Sequence, residues 1–203
     1  MLWEPVMAKE SAEVTRQRIL QQCLPLFADA GFDRVSMRQV AAATELTTAA
    51  LYYHFPDKEQ LFLAVVEDCF SQRVVPLLPD PQTSEPDPWL RLEAFISAFV
   101  ALLVNVPSFQ RLMQWLALDR DETRAHQMTE RLFEPFFRSV ADLLPVTLSD
   151  EERHMLTVSV MGLMVFPFET QVARQWLPGY QPPAEATAQL VKHILKLLKA
   201  GVM

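Results

Sequence analysis

SMRQVAAATELTTAALYYHFPDKEQ, residues 36–60, reads as two short helices joined by a polar turn, with a third helix beginning at its end. Ser36 and Gln39 have the spacing of a reciprocal capping box, which opens a helix at Met37. Val40 and Ala41 give that helix its apolar side, with small Ala42 and Ala43 beside them. The pattern breaks at Thr44-Glu45-Leu46. Thr47 is a good N-cap for the next helix, in which Leu51 and Phe55 recur at one-turn spacing and point inward. Pro56 ends it, because the residue before a proline is pushed out of helical geometry. Asp57 then caps a long third helix, with Gln60 placed to complete a second capping box.

Two helices joined by a turn of three to four residues is the geometry in which the second helix lies in a DNA major groove. With Leu51 facing the core, Thr48, Ala50, Tyr52, Tyr53 and His54 occupy other faces. Hydroxyls suit phosphates and base edges, small alanines permit close approach to thymine methyls, and the helix start at Thr47 favours a phosphate. Arg38, Lys58, Arg16 and Arg18 supply charge around this surface.

Gly31-Phe32, Ser36, Val40-Ala41, Thr47, the LYYHF run 51–55, and Lys58-Glu59 with Leu61 together resemble the N-terminal domain of TetR-type (TetR/AcrR-like) transcriptional regulators. Type, spacing and order all agree over the first 70 or so residues; the remainder is similar only in length and helical character. The resemblance implies DNA contacts from Ser36, Arg38, Thr47, Thr48, Ala50, Tyr52, Tyr53, His54 and Lys58. It also implies a dimer that grips a near-palindromic double-stranded operator, represses transcription, and releases on binding an effector in the C-terminal part. Two positions depart from the family pattern. Glu45 stands in the turn where glycine is common, with strain expected if the backbone angle there is positive. Ala49 replaces a common glycine two residues before Leu51.

Composition bounds the alternatives. With 203 residues, half of them hydrophobic, the chain has ample material for a core. The four glycines, Gly31, Gly162, Gly179 and Gly201, are scattered, which excludes a Rossmann fingerprint or a P-loop. A net charge of -7 argues against a generic nucleic-acid coat, and residues 1–60 carry eight acids against six bases. DNA binding must therefore rest on a local patch, present twice in a dimer. Cys23 and Cys69 sit on apolar faces and read as reduced, buried thiols. The N-terminus does not read as a signal peptide, and no run of about 18 apolar residues is expected to span a membrane, so the protein is expected to be cytoplasmic, with Met1 or Met7 as its natural start.

Organisation is all-α. The first helix is expected over about Ser11 to Ala30, ended by Gly31, and the long helix from Asp57 is expected to reach about Val75 as a connector. Residues 1–58 form the expected helix-turn-helix domain and 59–203 the expected helical effector-binding and dimerisation domain. Pro76, Pro79, Pro81, Pro86 and Pro88 mark a non-helical acidic loop. Further helices are expected over 88–104, 107–118, 121–144, 149–174 and 183–200, with Pro135 and Pro167 kinking two of them and Ser149 with Glu152 forming another capping box.

The last two long helices read as a dimer face. Leu156, Leu163, Leu190, Ile194, Leu197 and Leu198 are the candidate contacts, with Lys192, Lys196 and Lys199 on the opposite side of the last helix; two copies would form a four-helix bundle. Phe109, Met113, Trp115, His126, Phe133, Phe137, Met161 and Met164 are the candidate lining of an effector pocket, the 13 phenylalanines and 9 methionines of the chain suiting a small apolar or aromatic ligand. No catalytic residues, metal ligands or cofactor are expected: the four histidines lack metal spacing and no GxSxG elbow occurs. An all-α enzyme, or a helical adaptor without operator binding, is the alternative.

Overall fold

The computed structural model describes residues 4–79, 87–144 and 148–201, and among them every regular element is a helix. The order is α1 (Glu4–Arg34), α2 (Met37–Ala43), α3 (Thr48–His54), α4 (Lys58–Arg73), α5 (Pro88–Asn105), α6 (Pro107–Leu118), α7 (Glu122–Met128), α8 (Glu134–Ala141), α9 (Asp150–Glu169), α10 (Gln171–Arg174) and α11 (Pro183–Gly201).

Helix starts follow the caps. Ser36 and Gln39 form the full box, as do Ser149 and Glu152, while Asp57 accepts the Gln60 amide at 2.7 Å. The first helix starts earlier than its apolar pattern suggests, at Glu4, and Gly31 breaks it with φ 75° and ψ 175° before a last turn to Arg34. Pro76 sits in a single 3-10 turn, Val75–Leu77, rather than in non-helical chain. Of the other prolines expected to mark a non-helical loop, Pro88 opens α5, and Pro81 and Pro86 lie outside the described residues. The expected helix over 121–144 is instead three pieces: α7, a π-turn Thr129–Phe133, and α8. Pro135 explains the break, because it lacks the amide that would continue an α-helical ladder. Pro167 is accommodated inside α9, which ends two residues later at Glu169.

A continuous core runs from α1 to α11, crossing the expected boundary at 58/59. Ile19, Cys23 and Phe27 of α1 meet Leu61, Phe62, Val65 and Cys69 of α4, and Phe27 and Phe62 pack edge-on at 5.0 Å. Burial pushes the Cys23 thiol up to about 12 and the Cys69 thiol up to about 11. Neither forms a thiolate readily. From Phe70 near the end of α4, an aromatic centre with Phe95, Phe99, Phe109 and Phe136 has ring separations of 5.7–6.1 Å.

The expectation that no apolar run reaches membrane-spanning length is corrected by α5, whose 18 residues are long and apolar enough by length and composition. Here it is a core helix: Leu92, Phe95, Ile96, Phe99, Val100 and Leu103 are buried against its neighbours.

Candidate nucleic-acid interface

α2 ends in a Schellman motif. The Leu46 amide bonds back to Ala41 O at 3.0 Å and the Glu45 amide to Ala42 O at 3.4 Å, the paired bonds that satisfy a helix's last carbonyls. Such a motif places its C′ residue in the left-handed region, and Glu45 has φ 55°, the one positive-φ residue other than glycine among those described. The side chain of Thr44 completes the turn: it is buried, and its hydroxyl donates to Val40 O at 2.9 Å. The turn is thus sound in its hydrogen bonds but occupied by a residue with a Cβ. Glu45→Gly is expected to raise stability by about 1 kcal/mol, the left-handed penalty less the entropy that glycine adds to the unfolded chain. For a chain of this size that is about 2–4 °C in Tm by calorimetry. An unchanged or lower Tm would show the strain to be absent.

α3 is anchored by Leu51, and Phe55 closes its end; both are buried. Thr47 accepts the Ala50 amide at 3.2 Å. This leaves a continuous outward face in which Thr48 is exposed, Tyr52 is 47% exposed and Tyr53 80% exposed, with the Tyr53 and His54 rings edge-on at 5.3 Å. Large exposed aromatic rings on a helix too short to fold alone are surfaces held out for a partner. Arg38 of α2 and Ser36 are exposed beside them, while Ala50 is half-buried. The hydroxyl of Ser36 is engaged with Gln39.

Lys58 is placed differently from the other candidates. Its ammonium donates to Phe32 O at 3.0 Å and stands 4.1 Å from the Phe32 ring centre. An internal partner therefore competes with any phosphate for this cation. On the far side of α1, Arg16 lies over the Phe55 ring at 4.9 Å.

The joint between this reader and the rest of the chain is built from α6 and α7. Trp115 Nε1 donates to Ala28 O at 3.1 Å, and Arg111 pairs with Asp29 at 2.7 Å. Arg124 is 6% exposed, forks onto Asp119 through Nε and through Nη2 at 2.8 Å, and covers the Phe32 ring at 3.9 Å. The Asp119 carboxyl is held below the usual carboxylate range, chiefly by its hydrogen bond from Arg124, and the Arg124 guanidinium is correspondingly raised. Nothing in the local pattern of α7 singled out Arg124; its weight comes from tertiary contacts.

The candidate effector residues are not brought together. Phe109 and Met164 are buried in the core, Met113, Phe133 and Met161 flank it, and Phe137 packs on His154 at 5.2 Å. Trp115 serves the joint with α1. His126 is exposed and faces Glu130 at 3.5 Å, because its position on α7 points to solvent. A cavity of about 360 Å³ instead opens beside α4, floored by Phe70, Val74 and Phe136, with Arg131 and Glu67 paired at 3.6 Å among its lining.

The candidate dimer residues also divide. Ile194 and Leu198 are buried within the protomer, and Leu156, Leu163 and Leu190 are half-buried against its core; of the six, Leu197 is the one with nearly half its surface open, at 46%. The apolar surface that stays uncovered on α9 is Met155, Val158 and Phe166, residues about one and then two turns apart, which periodicity along an all-round apolar helix does not separate from the core.

Residues 19–65, from the middle of α1 into α4, match the family model of bacterial regulatory proteins of the tetR family. Over that span the chain is a tetR-family domain. Nucleoid occlusion factor SlmA of Photobacterium profundum is 30% identical over 134 residues, which are 62% of this chain and 66% of that protein. The HTH-type transcriptional regulator AcrR of Shigella flexneri is 41% identical over 59 residues, 29% of this chain and 27% of that protein. The matches thus span just under two thirds of one relative and about a quarter of the other. Among solved structures, FadR from Bacillus subtilis in complex with stearoyl-CoA superposes with a TM-score of 0.73 at 14% identity, covering 90% of this chain and 96% of that one. AibR in complex with isovaleryl coenzyme A and operator DNA superposes with a TM-score of 0.56 at 22% identity, covering 90% of this chain and 97% of the other. At these identities the likeness is one of fold, and it extends over both the reader and the helices beyond it.

Proposed function

We propose that this tetR-family chain is a ligand-responsive transcriptional regulator that binds a near-palindromic operator as a homodimer, represses transcription, and is released by a small effector. The observation that carries the reading is the exposed face of α3, where Thr48, Tyr52 and Tyr53 project from a helix fixed by buried Leu51. Phosphate contacts fall to Arg38, Ser36 and Thr47 at the margins, and base contacts to Thr48, Ala50, Tyr52, Tyr53 and His54. Relatives named as regulators favour this over an enzyme.

The effector site best supported is the cavity beside α4. Its phenylalanine floor suits an apolar or aromatic body, and Arg131 suits an anionic end that takes the place of its partner Glu67. Since α4 begins at Lys58, directly after the reader, a ligand that prefers a displaced α4 weakens DNA binding, and by linkage DNA weakens the ligand equally.

The test is binding to DNA upstream of the chain's own gene and its neighbours across a salt series. Tyr52→Ala is expected to lower operator affinity by about 1–3 kcal/mol, and Arg38→Ala to reduce the salt slope by about one unit. Full affinity in both variants, or no sequence preference in the unmodified protein, would overturn the reading.

A further inference from the structure

We infer that Arg124 is a positioning residue for the DNA reader: through Phe32 it fixes the orientation of α2 and α3 relative to the effector-binding helices. The inference rests on the reading of α3 as a DNA-contacting helix and adds to the α4 connector, and to the hold of Trp115 and Arg111 on α1, the attachment nearest α2.

A reader joined to the body by α4 alone keeps freedom to rotate about that helix. Attachments at the end of α1 remove it: Trp115 and Arg111 of α6 hold Ala28 and Asp29, and Arg124 holds Phe32, the point nearest α2. Phe32 lies one residue past the Gly31 break and four before the α2 cap at Ser36, so any movement of Phe32 is passed to the reader over a very short tether. Its ring carries the Arg124 guanidinium at 3.9 Å and the Lys58 ammonium at 4.1 Å, and its carbonyl accepts from both Lys58 Nζ at 3.0 Å and the Val35 amide at 3.3 Å. Arg124 comes from α7, 92 positions further along the chain (124 minus 32), and is itself oriented by Asp119, with Glu59 of α4 at 3.8 Å and Asp121 at 4.0 Å.

An arginine nearly withdrawn from water is a poor choice if stability were the only end, since apolar side chains of similar volume serve as well or better. What a forked guanidinium adds is direction: a planar group held by two parallel bonds to Asp119 presents its face to one place. That place is the Phe32 ring. The same fork joins the α6–α7 loop, through Asp119 and Asp121, to the start of α4, through Glu59. A shift of α6 or α7 therefore alters the reader's tilt even when α4 keeps its course.

The deciding measurement is a double-mutant cycle on operator affinity in the full chain, with Arg124→Met and Phe32→Leu. Arg124→Met is expected to weaken specific operator binding about tenfold while leaving binding to unrelated DNA unchanged, and Arg124→Lys to restore only part of the loss. Once Phe32 is leucine, the Arg124→Met effect is expected to vanish; additive losses would overturn the proposal. Amide hydrogen exchange on the DNA-free protein gives an arm independent of DNA binding. Arg124→Met is expected to speed exchange over residues 35–55 relative to the core of α5. Unchanged exchange there overturns the joint even where the unmodified protein shows no operator preference, an outcome that would count against the proposed function instead.

Discussion

Gly31→Ala is expected to be among the most damaging single substitutions in this chain, lowering unfolding free energy by about 3 kcal/mol or more. Two separate penalties combine. With φ 75° and ψ 175°, Gly31 occupies backbone that is essentially restricted to glycine. A Cβ would also stand 2.9 Å from Cδ2 and Cε3 of Trp115. The ring cannot simply swing aside, because its Nε1 is bonded to Ala28 O at 3.1 Å on the same turn of α1. Denaturant unfolding followed by tryptophan fluorescence checks this, with a loss below about 1 kcal/mol showing that the α1 end can relax. Because the strain falls between the reader and α6, operator binding is expected to suffer at temperatures where the variant is still folded.

Gly31 also shows where a sequence is readable and where it is not. Its role as a helix stop is local, signalled by glycine after an apolar helical pattern. The caps at Ser36, Thr47 and Ser149 are local in the same way and appear as expected, while at Asp57 the cap forms from the carboxylate to the Gln60 amide without the return bond from the Gln60 side chain. The strain at Glu45 follows from a missing glycine and a positive φ of 55°. What Trp115 does is not local. On α6 it reads as one more aromatic at helical spacing, a candidate pocket wall, and only the approach of α1 makes it the ring against Gly31. His126, Ile194 and Leu198 follow the same rule. Periodicity says that a residue faces inward or outward, but not which neighbour covers it, so pocket lining, core and subunit contact look alike along the chain. Arg124 is the converse case: an ordinary charged residue by pattern, buried by a partner 92 positions away (124 minus 32). The reader was legible because its chemistry sits within 25 residues, 36–60. The proposed effector cavity was not, because α4, the π-turn and α8 each contribute a part.

The proposed dimer is where the largest effect on DNA binding is expected. Val158 and Phe166 of α9 are 47% and 60% exposed, and Leu197 of α11 is 46% exposed. Gly162 is exposed between the first two, and between α9 and α11 runs an apolar groove of about 730 Å³ that includes Gly162, Phe166, Leu190 and His193. A small residue flanked by larger apolar ones lets a second helix approach closely, and a two-fold axis would bury the same face on both copies. Val158→Asp with Leu197→Asp would place four carboxylates in that shared face without touching the protomer's own core. The variant is therefore expected to remain helical and folded but monomeric by sedimentation at concentrations where the unmodified protein is a dimer. Its operator affinity is expected to fall by about 10²-fold or more, since each reader would then bind a half-site without the effective concentration supplied by its twin. Ile194→Ala is the contrasting change: Ile194 is fully buried in the protomer, so it is expected to lower stability by about 2–5 kcal/mol with no direct loss of subunit contact. If the aspartate pair leaves the dimer intact, the subunit face lies elsewhere; if it abolishes the dimer yet spares operator affinity, each reader acts alone and the near-palindromic operator is not required.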